Sequence, residues 1–562
     1  MNTDKVTPDP TPSTCSGGLQ AGPLECGSGS CRFVLRDIAN SIPSRAPFNS
    51  PNSLKQSGSY RCRTPKRRPT DFSRAPFAAR HSSLITTFIY LCLSVFICGS
   101  SAFLPIATFA QAKTPKPASK LERADILVLG GTYVTMDAER RVIKDGAMAV
   151  RGDSIIAIGP RAEITAKYSA PKRINATGRL VIPGLINGHG HAPMVLLRGI
   201  ADDLELHEWL IKYIFPAEAR NVNAEFVEWG TRLAALEMIR GGTTLHTDMY
   251  YFEDVIARVT KEAGMRGVLG ETILEFPAPD NKTVAQGLEY VENYLKKWQG
   301  DPLIRAAVAP HSVYLATEDT LRKTAALGRK YNSPILIHLS ETKKENDDAQ
   351  AKFGQSPTAY LEKLGFLGRD VIAAHCIWVD DLDIAILAKR EVGCVHNPSS
   401  NMKLSSGVAP VMKMLKAGVR LGVATDGPSG SNNDLNLMEE MDLAAKLVKV
   451  TTMDPRALTA EQAFAMATIE GARAVHMEKE IGSLEVGKKA DFVLVRTDTP
   501  HATPMYNVYS SLVYAMKASD VDTVAVNGRL LMENRRLLTL NEAAILAEAR
   551  ALAEKVKASL KN

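Results

Sequence analysis

The residues with the clearest chemical meaning are two histidines separated by one glycine. His189 and His191 follow the apolar segment 180–187. On an extended chain, residues i and i+2 point to the same side, so both imidazoles can reach one metal ion. Such a pair is weak evidence alone, because it also occurs in ordinary loops. Its weight comes from later residues of similar chemistry, each at the end of another apolar segment.

Two of these later residues complete a candidate metal centre. His338 ends one strand-like apolar segment, and Asp426 ends another. Three neutral imidazoles and one carboxylate suit Zn²⁺, with Fe²⁺ or Mn²⁺ as alternatives. The pattern therefore predicts one divalent metal ion held by His189, His191, His338 and Asp426.

Glu341 and His375 are candidates for moving protons beside that metal. Glu341 lies three residues after His338, and a carboxyl group there can carry a proton between water and a leaving group. His375 ends the segment 371–375 and can hydrogen-bond a developing tetrahedral centre. A metal ion lowers the pKa of water toward neutrality. We therefore expect hydrolysis by metal-activated water, with Glu341, His375 and Asp426 as catalytic groups.

The elements that must position these residues follow an alternating pattern of strand-like and helical segments. Eight apolar segments in one region predict a (β/α)8 TIM barrel, an α/β fold whose site residues project from the carboxyl ends of the strands. The eight segments are 185–191, 243–248, 266–271, 306–311, 335–341, 371–375, 393–397 and 422–426. The segment ending at His311 offers no lysine to bridge two metals, which favours a single ion. His246 is expected to be structural, with a pocket-lining position as the alternative.

Short β-branched segments before and after the barrel predict a second, smaller domain. Residues 123–180 have the pattern of a small antiparallel sheet, and short strands resume after the barrel. The predicted organisation has a disordered leader with a signal-like segment, a composite β-sandwich, the barrel and a C-terminal helix. The leader covers residues 1–112, with its signal-like segment at 84–112, and the composite β-sandwich covers 121–182 with 483–540. The barrel covers 183–482 and the C-terminal helix 541–562.

Charge and cysteine are concentrated in the leader. The net charge of the 562 residues is +7, and residues 1–80 alone hold twelve Lys/Arg against five Asp/Glu. The remainder is formally neutral, which argues against a nucleic-acid partner. A positive flank, an apolar stretch and Ala110-Gln111-Ala112 resemble a signal peptide, so we expect export. A membrane anchor, if the leader stays uncleaved, or a misassigned start with a cytoplasmic protein are the alternatives.

The motifs around these residues resemble the amidohydrolase superfamily over about residues 124–537. Within it, the chain is similar to the single-metal S-adenosylhomocysteine/5′-methylthioadenosine deaminases and the triazine chlorohydrolases. The segments that carry the resemblance are VIPGLINGHGHAPMVLLRGIADDL, EWLIKYIFPAEAR, GGTTLHTDMYYF, APHSVY, IHLSET, AAHC, HNPSSNMKLSSGVAPV, GVATDGPSGSNNDLNLMEEM and GSLEVGKKADFVLV.

The resemblance implies roles for further residues. Metal binding falls on the same four residues, Glu341 becomes the proton shuttle and His375 orients the attacking water. The resemblance also implies that Glu218 contacts ribose hydroxyls, that His311 touches the purine and that Trp209 forms an apolar wall. No counterpart is evident for arginines that hold the amino-acid carboxylate of S-adenosylhomocysteine. A dimer or a higher homo-oligomer is also expected on this basis.

The expected function is deamination of an amino-substituted N-heterocycle by metal-activated water, with release of ammonia. An adenosine derivative of the 5′-methylthioadenosine or S-adenosylhomocysteine type is the leading small-molecule substrate. Dechlorination of a triazine, or hydrolysis of a cyclic amide, pterin or guanine, would use the same activated water. A barrel without catalysis, serving as a scaffold, is the remote alternative, and it should lack some of the residues named above.

Overall fold

The computed structural model describes residues 121–560. The leader predicted for residues 1–112, with its signal-like segment 84–112, lies outside these described residues. Within residues 121–560, no helix is both long enough and apolar enough to cross a membrane.

Eight parallel strands form one sheet whose spatial order is their order along the chain. We number them β1 to β8: Leu185–Asn187, Thr243–Tyr250, Arg266–Ile273, Ile304–Pro310, Ile335–Leu339, Val371–His375, Gly393–His396 and Arg420–Val423. The amide of Gly188, just after β1, donates to the carbonyl of Val423 in β8, so the first and last strands meet. The sheet is a nearly closed (β/α)8 barrel, and the predicted fold class is confirmed.

The barrel strands are buried because helices cover their outer faces and apolar side chains fill the interior. Every residue of β2, β3, β5 and β6 is buried. β5 and β6 have nearly continuous apolar sequences rather than alternating ones, as expected for parallel strands covered on both faces. Ile186, Leu245, Val268 and Leu336 belong to one buried cluster inside the barrel.

Helices alternate with the strands and continue after them. Their bounds are Arg161–Lys167, Leu206–Glu208, Phe215–Asn221, Ala224–Gly241, Glu253–Ala263, Val284–Trp298, Glu318–Lys330, Lys343–Phe353, Pro357–Lys363, Asp381–Lys389, Pro398–Lys403, Val411–Lys416, Leu437–Thr452, Ala460–Met466, Ile469–Ala474, Val508–Ser510 and Glu542–Ser559, with π-helical turns at Trp209–Ile214 and Ser511–Ala515. The helix Ala224–Gly241 shows the local cause: the Asn223 side chain accepts from Phe226 N at its start, and Gly242 ends it at φ 89°.

Two further sheets lie outside the barrel, and the larger one contains strands from both sides of the barrel sequence. The seven-stranded sheet runs, in spatial order, Arg536–Leu537, Arg529–Glu533, Val521–Val526, Phe492–Arg496, Arg179–Pro183, Thr132–Val134 and Val142–Lys144. The four-stranded sheet runs Ser154–Pro160, Gly146–Arg151, Ile126–Leu129 and Lys172–Asn175, and a short pair joins Glu122–Arg123 to Tyr168–Ser169. One buried cluster includes Val128 and Met148 of the four-stranded sheet with Val181 and Phe492 of the seven-stranded sheet. The two sheets therefore share a core.

The prediction of a small antiparallel sheet over residues 123–180 is wrong in part. Ile126–Leu129 pairs in parallel with Lys172–Asn175, and Thr132–Val134 pairs in parallel with Arg179–Pro183. Parallel neighbours need a long crossover connection. The helix Arg161–Lys167 lies within that connection, and its short length hides it among strand-like segments in the sequence.

Candidate functional site

The carboxyl ends of the barrel strands bring the predicted site residues together in one cavity. Eight of the nine line it: His191, Trp209, Glu218, His311, His338, Glu341, His375 and Asp426. The ninth, His189, is buried, and its Nε2 contacts Asp426.

His189, His191 and Asp426 form the centre of the site. Nε2 of His189 lies 3.2 Å from Oδ1 of Asp426, and Nε2 of His191 lies 3.3 Å from the same oxygen. The donor atoms of these three residues all lie within 4.8 Å of one another. A second set, sharing His189, adds His338 and His375 within the same limit. The imidazoles of His189 and His191 therefore reach one common point, as their spacing predicts.

Backbone carbonyls orient two of the imidazoles. Nδ1 of His191 lies 2.6 Å from the carbonyl oxygen of Met249, and Nδ1 of His338 lies 2.9 Å from that of His311. A carbonyl only accepts, so each Nδ1 carries a proton, and Nε2 is the nitrogen left to face a metal ion. The two Nε2 atoms converge to 3.4 Å. Metal ligation through Nε2 requires this tautomer, with the proton on Nδ1.

The donor set fits a divalent metal ion. Nε2 of His189 is buried and makes no hydrogen bond, although it points at the carboxylate of Asp426. A buried nitrogen without a partner is costly unless another group, such as a metal, satisfies it. Imidazole nitrogens and a carboxylate oxygen are the ligands that Zn²⁺ and similar ions accept.

The charges of the site centre on Asp426. Burial alone would raise its pKa, but contacts with His189 and His191 hold it well below its usual range. Burial lowers the pKa of His189 to about 4. Burial acts on His191 in the same direction, but its contact with Asp426 outweighs this and raises its pKa to about 9. A metal ion bound to Nε2 of His191 would replace the proton that the raised pKa places there.

The backbone bends sharply where the strands deliver these side chains. Ser340, His375 and Asp426 have left-handed φ values of 50°, 71° and 64°. Non-glycine residues rarely adopt this conformation, and it persists only where the surrounding structure enforces it. Ser400 donates a 2.7 Å hydrogen bond to Oδ2 of Asp426. The strained ends and their contacts fix the direction of the functional side chains.

Glu341 is a buried carboxyl with no cationic partner. It is 4% exposed, and burial, followed by the negative charge of Asp426, raises its pKa to about 8. Its Oε2 lies 3.7 Å from Nε2 of His375. Nδ1 of His375 contacts the side chains of Asn401 and Asn397 at 3.2 and 3.1 Å. The carboxyl can therefore hold a proton at neutral pH beside an imidazole of fixed orientation.

Glu218 forms a second buried carboxyl position in the cavity. Tyr250 donates a 2.8 Å hydrogen bond to its Oε1, and Tyr251 donates a 3.4 Å hydrogen bond to its Oε2. Burial raises the pKa of Glu218 to about 7, against the lowering effect of the tyrosines. Its oxygens keep lone pairs that can accept from ligand hydroxyl groups.

His311 and Trp209 occupy fixed positions on the cavity wall. The ring of His311 lies 4.5 Å from that of His338, and burial lowers its pKa to about 3, which keeps it neutral. Its Nδ1 is buried without a hydrogen-bond partner. Trp209 donates from Nε1 to the carbonyl of Ser429 at 3.0 Å, which fixes the indole.

Sequence reasoning missed several residues that shape the site. Tyr250 ends β2, so the strand-end argument that found the histidines could also have found it. The asparagines that hold His375 have no such signal, because they reach it from the loop and helix after β7. His246 does not line the cavity; it contacts Thr260 Oγ1 at 3.0 Å, as its structural interpretation predicts.

The fold and the site define a metal-dependent hydrolase built on a (β/α)8 barrel. The model of the amidohydrolase family matches residues 180–531. The chain belongs to this family.

Two curated relatives are similar over nearly their whole length. A protein of Syntrophus aciditrophicus named 5-methylthioadenosine/S-adenosylhomocysteine deaminase 1 is 47% identical over 443 residues, 78% of this chain and 99% of that protein. A protein of Methanosarcina acetivorans named 5′-deoxyadenosine deaminase is 42% identical over 437 residues, 77% of this chain and 99% of that protein. Both sequence identities are higher than a shared fold alone would require, so the likeness extends to the sequence itself.

Solved structures give the same architecture. An adenosine deaminase of Xanthomonas campestris with bound zinc has a TM-score of 0.77 and 36% identity, covering 78% of this chain and 100% of that chain. A triazine hydrolase variant has a TM-score of 0.70 at 23% identity, covering 76% of this chain and 99% of that chain. The second likeness concerns the fold alone.

Proposed function

We propose that this protein removes the exocyclic amino group of an adenosine derivative by hydrolysis, giving the corresponding inosine derivative and ammonia. The observation that carries the proposal is one cavity that joins metal donors, the proton-holding Glu341 and the hydroxyl-accepting Glu218. The relatives named as deaminases of 5′-methylthioadenosine, S-adenosylhomocysteine and 5′-deoxyadenosine support the same class of substrate.

His189, His191, His338 and Asp426 would hold the metal, which we propose to be Zn²⁺. The bound zinc in the Xanthomonas campestris structure and the imidazole-rich donor set support this identity. When bound, the ion would lower the pKa of a water molecule and polarise it for attack. Metal analysis of the purified protein tests this directly; a folded, active protein without any divalent metal would contradict it.

Glu341 and His375 would handle the protons of the reaction. Addition of water to the purine carbon that bears the amino group needs a proton on the neighbouring ring nitrogen. The protonated Glu341 can donate it, because its pKa of about 8 keeps it neutral at the start. His375, held through Nδ1, presents Nε2 toward the group that is added. Asp426, which stays ionised, can accept a proton from the attacking water and pass it to the amino group, which leaves as ammonia while the proton of the added hydroxyl returns to Glu341.

Glu218 and His311 would position the nucleoside. Glu218 can accept from the ribose hydroxyls while Tyr250 and Tyr251 hold its carboxylate. His311 stays neutral beside His338 and can hydrogen-bond a purine nitrogen. Holding the base and the sugar in fixed positions keeps the reacting groups correctly oriented. This contribution to the rate can exceed that of any single proton transfer.

Measuring the release of ammonia tests this proposal. The full chain is assayed with adenosine, 5′-deoxyadenosine and 5′-methylthioadenosine, and with guanine, a pterin and an amino- or chlorotriazine for comparison. We expect release of ammonia from the adenosine derivatives and little from the others. Chloride release from the triazine without ammonia from any nucleoside would instead favour the dechlorination alternative.

We also propose that residues 84–112 direct export and are cleaved after Ala112. The positive flank at Arg80-His81, the apolar stretch and the small residues before Lys113 support this proposal. Sequencing the amino terminus of the protein recovered from a bacterial periplasm tests it. A mature chain that begins at Met1 and stays in the cytoplasm would contradict it.

A further inference from the structure

The cavity has an unusual charge composition for a site that could bind an amino acid. Its lining includes Glu218, Glu341 and Asp426, four histidines, and apolar or hydroxyl-bearing side chains. Among the described residues, no lysine or arginine lines it. A ligand carboxylate beside this lining would therefore find no lysine or arginine side chain to pair with.

Six lysines and arginines that lie near lining residues in the chain contact groups elsewhere. Each contacts a carboxylate or a carbonyl outside the cavity lining. The pairs are Arg198 with Glu237, Lys212 with Glu208, Arg220 with the carbonyl of Ser559, Lys343 with Asp347, Lys344 with Asp348, and Lys403 with Asp202. None of these six side chains lines the cavity.

One wall of the cavity is instead continuously apolar. Leu206, Trp209, Leu210 and Ile214 are at least nine-tenths buried and come from the helical segment that continues to Glu218. Phe215, on the same segment, packs its ring 5.2 Å from that of Phe276. This wall is held in place by its own packing and by the anchored indole of Trp209.

A carboxylate that leaves water for such a wall loses hydration without gaining a partner, whereas a methyl or methylthio group gains from burial. We propose that this cavity selects nucleosides whose 5′ substituent is short, apolar and uncharged, and discriminates against a 5′ substituent that carries an amino-acid carboxylate. This inference rests on the proposed deamination of adenosine derivatives. It makes Leu206, Leu210, Ile214 and Phe215 specificity-determining residues.

Competing substrates test the inference. The ratio of kcat/KM for 5′-methylthioadenosine to that for S-adenosylhomocysteine is measured on the full-length, metal-loaded protein. We expect a ratio of at least about 100, since a buried polar group without a partner discriminates strongly. A ratio below about 10 would overturn the inference. 5′-Deoxyadenosine should behave like 5′-methylthioadenosine.

A charge placed on the wall should reverse part of this preference. Phe215 is half-buried and lines the cavity, so Phe215→Arg offers a guanidinium to the carboxylate. We expect it to lower the ratio by about tenfold, the scale of a charge-assisted hydrogen bond. Tyr213→Arg is the matched control, because Tyr213 is exposed on the same segment and does not line the cavity. Its ratio should equal that of the unchanged protein.

The outcomes separate this inference from the proposed function. No ammonia from any adenosine derivative would refute the deamination itself. Equal turnover of both substrates would leave deamination standing and refute the selectivity. A folded Phe215→Arg protein with the same ratio as Tyr213→Arg would refute the placement of the 5′ group against this wall. If Phe215→Arg does not fold, the ratio of the unchanged protein decides.

Discussion

The two ends of the barrel strands bury charge in opposite ways. At the amino ends, Arg266 and Asp491 form an ion pair at 2.6 Å with side chains 1% and 2% exposed, and Arg420 pairs with Glu391 and Glu478. At the carboxyl ends, Glu341 and Glu218 are equally buried but have neither lysine nor arginine as a partner. Paired charges hold each other in place and stabilise the structure. Unpaired carboxyl groups have raised pKa values and can exchange protons, which is what chemistry requires.

The largest expected effect tests an unpaired carboxyl. Glu341→Gln removes the proton that this side chain would carry, so we expect kcat to fall by roughly 10²–10⁴ while metal content stays unchanged. Glu440→Gln is the matched control, and its kcat should stay near normal: this carboxyl is also buried, with a pKa raised to about 8, but it accepts from Ser399 N and the Asn432 side chain and does not line the cavity. Near-normal turnover in metal-replete Glu341→Gln would contradict the role.

The next effect tests a paired charge at the opposite end. Arg266→Met leaves Asp491 buried without its partner, so we expect the free energy of unfolding to fall by about 3–5 kcal/mol. Denaturant unfolding measures this, and KM of the remaining folded protein should not change. The double variant with Asp491→Asn should recover part of the loss. A single variant as stable as the unchanged protein would show that this pair does not hold the barrel end together.

A smaller effect concerns pH. Burial lowers the pKa of His246 to about 4, below its unfolded value near 6.5. The folded state therefore prefers the neutral ring, and the stability gained from it is full above pH 6.5 and is lost as pH falls toward 4. The loss should reach roughly 3 kcal/mol at pH 4. Thermal unfolding from pH 7 to 4 should show a flatter dependence for His246→Gln; identical slopes would exclude His246 as a contributor.

The smallest effect concerns the support of Glu218. Tyr250→Phe removes one hydrogen bond to its carboxylate, and we expect KM for adenosine to rise by about fivefold, the scale of about 1 kcal/mol, with kcat nearly unchanged. A substrate lacking both ribose hydroxyls should show no such change. Tyr294→Phe is the control, since Tyr294 is also buried and donates to the carbonyl of Leu269 away from the cavity. A change in kcat alone would contradict a positioning role.

The sequence by itself determined the barrel and the order of its site residues. In a parallel barrel all strands end at the same face, so chemistry-bearing residues at successive strand ends must meet there, however far apart they lie in the chain. His189 and His191 share a side because an extended chain repeats every two residues. These arguments need only local periodicity. The domain limits, the roles of the site residues and the export of the chain stay predictions.

Only the tertiary structure decided the contacts between distant segments. The carbonyl of Met249 sets the tautomer of His191, and the carbonyl of His311 sets that of His338. No spacing in the sequence predicts these contacts. The parallel pairings before the barrel join strands that are separated in the chain by several other strands and a short helix, so no local pattern reveals them. The absence of a lysine or arginine from the described cavity lining is likewise a property of packing, because such residues are frequent on the surrounding segments. Local patterns fix which residues point into the barrel mouth, whereas protonation and selectivity depend on neighbours that only folding brings together.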